Sequence, residues 1–188
     1  MTTLAGFCIL ISLIVVYLII IAFFPFKAEK QPIELKGSNG DTPICRQDVT
    51  FKVDGLELSG WLYLPEDSAN PGPCVILNTG FCGTKDFLLE KYALRFVEAG
   101  FAALSFDYRH FGESRGEPRQ FYSVSKQLED NKAAITFARK SSDIDPEKIF
   151  IWGTLISGNF GIMLAAGDKR IAGVIGQTPS LDHQAEGR

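Results

Sequence analysis

The 188-residue sequence is poor in the residues that bind metals or staple small folds: two histidines, two methionines and four cysteines. It contains no Cys-x-x-Cys pair and no His/Cys cluster, so no metal site is expected. Cys8 lies in an apolar run, and Cys45, Cys74 and Cys82 form an odd trio that cannot pair completely, which argues against a disulfide scaffold. There is no Asn-x-Ser/Thr glycosylation acceptor. A net charge of −3 and a pI near 5.4 provide no basic stripe to neutralise phosphates, so a nucleic-acid partner is excluded.

Charge is missing altogether from the side chains of the first 26 residues, Lys27 being the first charged one. Within them, Leu4 to Phe24 is an apolar run that as a helix would be about 31 Å long, the thickness of a bilayer's hydrocarbon core. Lys27, Lys30, Lys36 and Arg46 follow it, and the positive-inside rule then puts the rest of the chain in the cytoplasm. A cleaved secretory signal is the competing reading. The run exceeds the roughly 7–15 residues of a signal core, has no basic residue before it and no small-x-small site after it, which favours a retained anchor. The expectation is a single-pass membrane protein: residues 1–26 an anchor, 27–48 a linker and 49–188 one soluble domain, the apolar residues of 27–188, about 40%, being enough for a single core.

The soluble part alternates at two periods. Val49, Phe51 and Val53 alternate with polar residues, Asp54-Gly55 is a hairpin turn, and Leu56, Leu58, Leu62 and Leu64 give the returning strand a buried face. After Pro71-Gly72-Pro73, the run Cys74–Leu77 has no polar alternation, as in a strand covered on both faces. Leu89, Tyr92, Ala93, Phe96 and Val97 predict an amphipathic helix ending at Gly100, and Phe101–Phe106 a second buried strand. Val124, Leu128, Asn131, Ile135 and Ala138 mark another helix, Ile149–Trp152 a third buried strand, Gly158–Ala166 a short helix and Ile171–Gly176 a further strand. The predicted fold class is α/β, with a mostly parallel sheet and helices on both faces, preceded by one transmembrane helix.

In such a sheet, ligands meet the loops at the carboxyl ends of the parallel strands. Three loops qualify: Asn78–Lys85, with glycines that let backbone amides approach a ligand; Asp107–Ser114, reading Asp-Tyr-Arg-His-Phe-Gly-Glu-Ser; and Gly153–Gly158, a sharp strand-to-helix turn. On these motifs, Val49 to about Ser180 resembles the first two-thirds of an α/β-hydrolase. It is most similar to a group allied to dienelactone hydrolases and Xaa-Pro-peptidase-like esterases, which includes fungal polyketide acyltransferases and thioesterases. Members carry His-Gly-Phe-x-Gly-Thr-Lys, Asp-Tyr-Arg-x-Phe-Gly-x-Ser and Trp-Gly-x-Ser-x-Ser-Gly in this order. The resemblance implies hydrolysis or transfer of an ester- or thioester-linked acyl group by a serine nucleophile, without a cofactor, on a hydrophobic acyl or polyketide substrate.

The departures from that pattern fall on the chemistry. A nucleophile elbow needs small residues two before and two after the nucleophile; Gly153 and Ser157 fill those places, which leaves Leu155 where the family has serine. Leucine has no proton to give up, so no acyl-enzyme is expected. Ser157 is a poor substitute, its own flanks being Leu155 and Asn159. Thr79 stands in place of the family's histidine, whereas the oxyanion donors implied at Gly80-Phe81 and Ile156 need only backbone. Cys82 is expected to be a small half-buried thiol rather than a nucleophile, and His110 and His183 solvated loop residues rather than bases. Asp182 comes too early to be the triad acid. Asp107, Arg109, Gly112 and Ser114 match the family loop and are read as structural braces. The acid and histidine of the triad would follow later strands than these, so the expectation is a catalytically silent, truncated domain. A pseudoenzyme or partner-binding module and a truncated product of a metabolite-pathway hydrolase remain alternatives. The last strand is expected to be a bare apolar edge open to a protein partner.

Overall fold

In the computed structural model, the structure describes residues 45–66 and 71–179, together with Gly6. Six strands, β1 (Cys45–Val53), β2 (Leu56–Leu64), β3 (Gly72–Asn78), β4 (Ala102–Phe106), β5 (Ile144–Thr154) and β6 (Ile171–Gln177), form one sheet in the order β1-β2-β4-β3-β5-β6. Three helices connect them: α1 (Leu89–Glu98), α2 (Val124–Lys140) and α3 (Ile156–Gly167).

The strand alternation at Val49–Asp54 extends back to Cys45, which pairs with Leu64, so β1 starts inside the segment read as linker. The turn at Asp54 (φ 49°) and Gly55 (φ 77°) closes the hairpin. β2 also pairs antiparallel with β4, while β4-β3, β3-β5 and β5-β6 are parallel. The expected mostly parallel sheet is therefore corrected to a mixed one, because β2 is inserted between β1 and β4 and runs against both. Its interior position also explains Tyr63, which is fully buried on the face opposite Leu58, Leu62 and Leu64.

Leu89, Ala93 and Val97 recur at four-residue spacing on α1 and pack against Val75, Leu77 and Trp152 on one face of the sheet. Burial of each larger side chain contributes about 1.5–3 kcal/mol. The opposite face carries Ile76, Leu104, Phe106, Ile149 and Ile151 under α2 and α3. The buried stripe of α2 is split. Its first half buries Gln127, Asp130 and Asn131, and its second half Ala134, Ile135 and Ala138. The apolar half lies over the core and the polar half reaches the loops.

No helix among the described residues is long and apolar enough to cross a membrane. The longest, α2, has 17 residues and is charged along its length. The transmembrane helix expected at residues 1–26, and the single-pass, cytoplasm-facing placement built on it, are corrected on that finding; apart from Gly6, that segment lies outside the described residues.

Candidate functional site

β3 and β5 are neighbours, yet the helix after β3 covers one face of the sheet and the helix after β5 covers the other. Where two connections diverge in this way, a crevice opens at the carboxyl ends of the strands. The loop 79–88 and the turn 153–158 both end there.

A single residue, Leu155, separates β5 from α3, with φ 53° and ψ −124°. A side chain in that region of backbone space is strained by about 1–3 kcal/mol and persists only where its surroundings enforce it. They do so here. A β-carbon on Gly153 would lie 2.4 Å from the backbone of Ser157, so only glycine lets the helix double back so tightly. The Leu155 N–H donates to Gln177 O at the end of β6 (3.0 Å), and the Gly158 N–H donates to Leu155 O (3.0 Å). The leucine side chain is 51% exposed at the tip of the bend. It faces Gly80, where an added β-carbon would meet its Cδ1 at 3.3 Å. Ile156 opens α3, so its N–H has no acceptor within the helix.

Behind the bend, Ser157 is fully buried, and its hydroxyl donates to the carbonyl of Thr79 and lies 3.4 Å from the Tyr108 hydroxyl. Asn131 Nδ2 donates to Tyr108 Oη (3.2 Å) and to Gln127 O (2.9 Å). Burial pushes the Tyr108 phenol up to about 12, so it acts as a neutral hydroxyl. Thr79, itself buried, donates to Gly83 O (2.9 Å) and tightens the loop from within. Phe81, Phe87 and Leu88 are exposed around a cavity of about 300 Å³ whose inner wall includes Tyr92, Trp152 and Leu155. The Tyr92 and Trp152 rings lie 4.6 Å apart.

The loop 107–114 is held by two buried charge clusters. Asp107 accepts from Lys85 N and Lys85 Nζ (both 2.7 Å) and from Glu113 N (2.9 Å). Lys85 Nζ also reaches Glu113 Oε2 (2.6 Å). Burial alone would lower the Lys85 ammonium, but the hydrogen bonds to Asp107 and Glu113 outweigh it and hold it above its ordinary value. A β-carbon on Gly112 (φ 49°) would lie 2.2 Å from Asp107 Oδ2, so this glycine is what lets the carboxylate sit there. Ser114 donates to Asp107 O (2.6 Å) and accepts from Ser59 N (2.9 Å), tying the loop to β2. In the second cluster the Arg109 guanidinium is 1% exposed and contacts Asp130 (2.6 Å), Asp54 (2.9 Å) and Glu129 (3.0 Å).

Two sequence expectations change. His110 is not a solvated loop residue: it is 5% exposed with φ 73°, stacks edge-on against Phe121, and neither ring nitrogen has a partner among the described residues. Cys82 is exposed rather than half-buried, at a loop position with φ 57°. His183 and Asp182 lie outside the described residues. Lys85 and Tyr108 lie in the quoted loops but the sequence assigns them no role, and nothing in it marks Asp130. Asn131 was visible as the one polar residue in the α2 stripe. Among the described residues no group of three or more His, Cys, Asp or Glu side chains could hold a metal ion.

The family model for X-Pro dipeptidyl-peptidases of the S15 family matches residues 54–186. The chain belongs to that family. This S15-family chain is 41% identical over 145 residues to the quorum-quenching protein AidA of Acinetobacter baumannii, covering 77% of this chain and 47% of that protein. It is 39% identical over 140 residues to the polyketide transferase ATR5 of Stachybotrys chlorohalonatus, covering 74% and 46%. Among solved structures, the α/β hydrolase GrgF from Penicillium is 37% identical with a TM-score of 0.67, covering 73% of this chain and 47% of that one. The S15-family chain thus has the α/β-hydrolase fold and spans about half the length of the curated relatives it matches.

Proposed function

We propose that this chain carries the acyl-recognition part of an α/β-hydrolase of the esterase, thiohydrolase and polyketide-transferase kind, and that it receives a hydrophobic acyl group without attacking it. The observation that carries this reading is Leu155. It occupies the strained tip of the strand-to-helix bend, half exposed and beside Gly80, where a hydrolase needs a hydroxyl to attack a carbonyl. Loss of the nucleophile from such a site costs about a millionfold in kcat. Ser157 does not replace it, because its hydroxyl is buried and its proton is committed to the Thr79 carbonyl. The rest of the recognition apparatus supports binding: amides at Phe81 and Ile156 for a carbonyl oxygen, and an apolar cavity for its chain. The relatives named thiohydrolase and polyketide transferase support an acyl ligand.

The test uses p-nitrophenyl octanoate and a fluorophosphonate probe on the full chain. The expected result is saturable quenching of Trp152 fluorescence by the ester, with no nitrophenol release above the Ser157→Ala background and no labelling by the probe. Labelling that disappears in Ser157→Ala would overturn the reading.

A further inference from the structure

At the amino-terminal end of β6, away from Leu155, a groove of about 420 Å³ separates the later turns of α2 from those of α3. Its chemistry is unlike the rest of the molecule. The chain as a whole has 22 acidic and 19 basic side chains, whereas the groove is lined by Lys132, Arg139 and Arg170 against one acid, Asp168. That carboxylate is shared, accepting from Arg139 Nη1 (2.6 Å) and Arg170 Nε (3.4 Å). Lys132 has no ion-pair partner among the described residues, and Arg139 Nη2 is buried with no acceptor there.

Basic side chains near a helix carboxyl end are often explained by the helix dipole. That accounts for Arg139, in the last turn of α2, but not for Lys132 in its middle. Leu128, Lys132, Ile135 and Arg139 recur at four- and three-residue spacing, so one face of α2 presents apolar and cationic groups alternately to the groove. The facing side of α3 adds Met163, 52% exposed, and Leu164. An apolar floor and a cationic rim with an unpaired ammonium make a site for a molecule with both an anionic head and a short apolar chain.

We infer that this groove is a second binding site, separate from the crevice at Leu155, for a monomeric amphiphilic anion bearing a carboxylate or phosphate head. The head sits against Lys132 and Arg170, and the chain lies along Leu128, Ile135 and Met163. The probe is octyl phosphate, titrated into the full chain by calorimetry, with inorganic phosphate and octanol in parallel. The expected result is a saturable site for octyl phosphate that persists in Tyr92→Ala, where either half-molecule binds at least tenfold more weakly. The doubly substituted Lys132→Glu, Arg170→Glu chain weakens octyl phosphate binding at least tenfold. Both side chains lie at the surface, and unchanged circular dichroism melts verify that this variant folds. Tyr92→Ala, on the wall of the other cavity, leaves the affinity as it was. Three results would overturn the inference: equal affinity in the double variant, phosphate binding as tightly as octyl phosphate, or loss of binding in Tyr92→Ala.

Discussion

Leu155 combines a backbone conformation that disfavours a side chain with a side chain half in solvent, so its contribution to stability is dominated by strain. Replacement by glycine relieves about 1–3 kcal/mol of strain and costs about 0.5–1 kcal/mol in unfolded-chain entropy. Leu155→Gly is therefore expected to stabilise the chain by about 1 kcal/mol, seen as a Tm increase of a few degrees; a lower Tm would show that the leucine is held by packing instead. Asp168 differs in kind. The hydrogen bond from Arg139, followed by the Arg170 backbone N–H, holds its carboxyl down to about 2. A carboxyl lowered in the folded state stabilises it above the unfolded value of 3.8, and that stability is lost as pH falls through about 2. Asp168→Asn is expected to flatten the acid limb of stability between about pH 4 and pH 2, measured by urea melts at each pH, and to leave the dependence above pH 5 unchanged.

The element that organises the loops is α2, through the polar half of its buried stripe. Asp130 is fully buried and accepts from both the guanidinium and the backbone N–H of Arg109, while the amide of Asn131, one residue on, donates to the Tyr108 hydroxyl. Burial pushes the Asp130 carboxyl up against the pull of Arg109. Removing one member of a buried pair leaves the other desolvated and uncompensated, at a cost of about 3–5 kcal/mol. Asp130→Ala is expected to destabilise the chain by that amount in denaturant titration, whereas Glu129→Ala, at the exposed end of the same cluster, costs under about 1 kcal/mol. Similar losses for the two variants would mean that the cluster is solvated.

Among the described residues, large exposed apolar side chains gather at two notable places. One is the rim of the crevice, with Phe81, Phe87 and Leu88; the other is the β6 side, where Ile162, Met163 and Ile175 are about half exposed. The outer edge of β6 pairs with no strand among the described residues. An unpaired edge flanked by apolar side chains is a template for association with another chain. The full chain is expected to self-associate with rising concentration in sedimentation velocity, and Ile175→Lys, which puts a charge beside that edge, to shift it toward monomer. A monomer at all concentrations in both forms would remove the edge as an interaction surface.

The hairpin, the two amphipathic helices and the covered strands were legible as period-2 and period-3.6 patterns, because side chains that alternate in burial record the local geometry of their own element. The elbow was legible for a similar reason: the small residues at 153 and 157 are demanded by a clash only five residues long. What the sequence could not supply was contact between distant segments. Insertion of β2 between β1 and β4 makes the sheet mixed, and no strand records its neighbour's direction in its own pattern. Lys85 meets Asp107 across 22 positions and Arg109 meets Asp130 across 21, pairings that composition leaves open. His110 looked like any polar loop residue until the fold closed around it. The sequence by itself determined the elements and the leucine at the bend, since both follow from short-range sterics and burial; the tertiary structure alone decided which charges are buried together and where the crevice and the second groove lie, since those depend on how the strands are ordered.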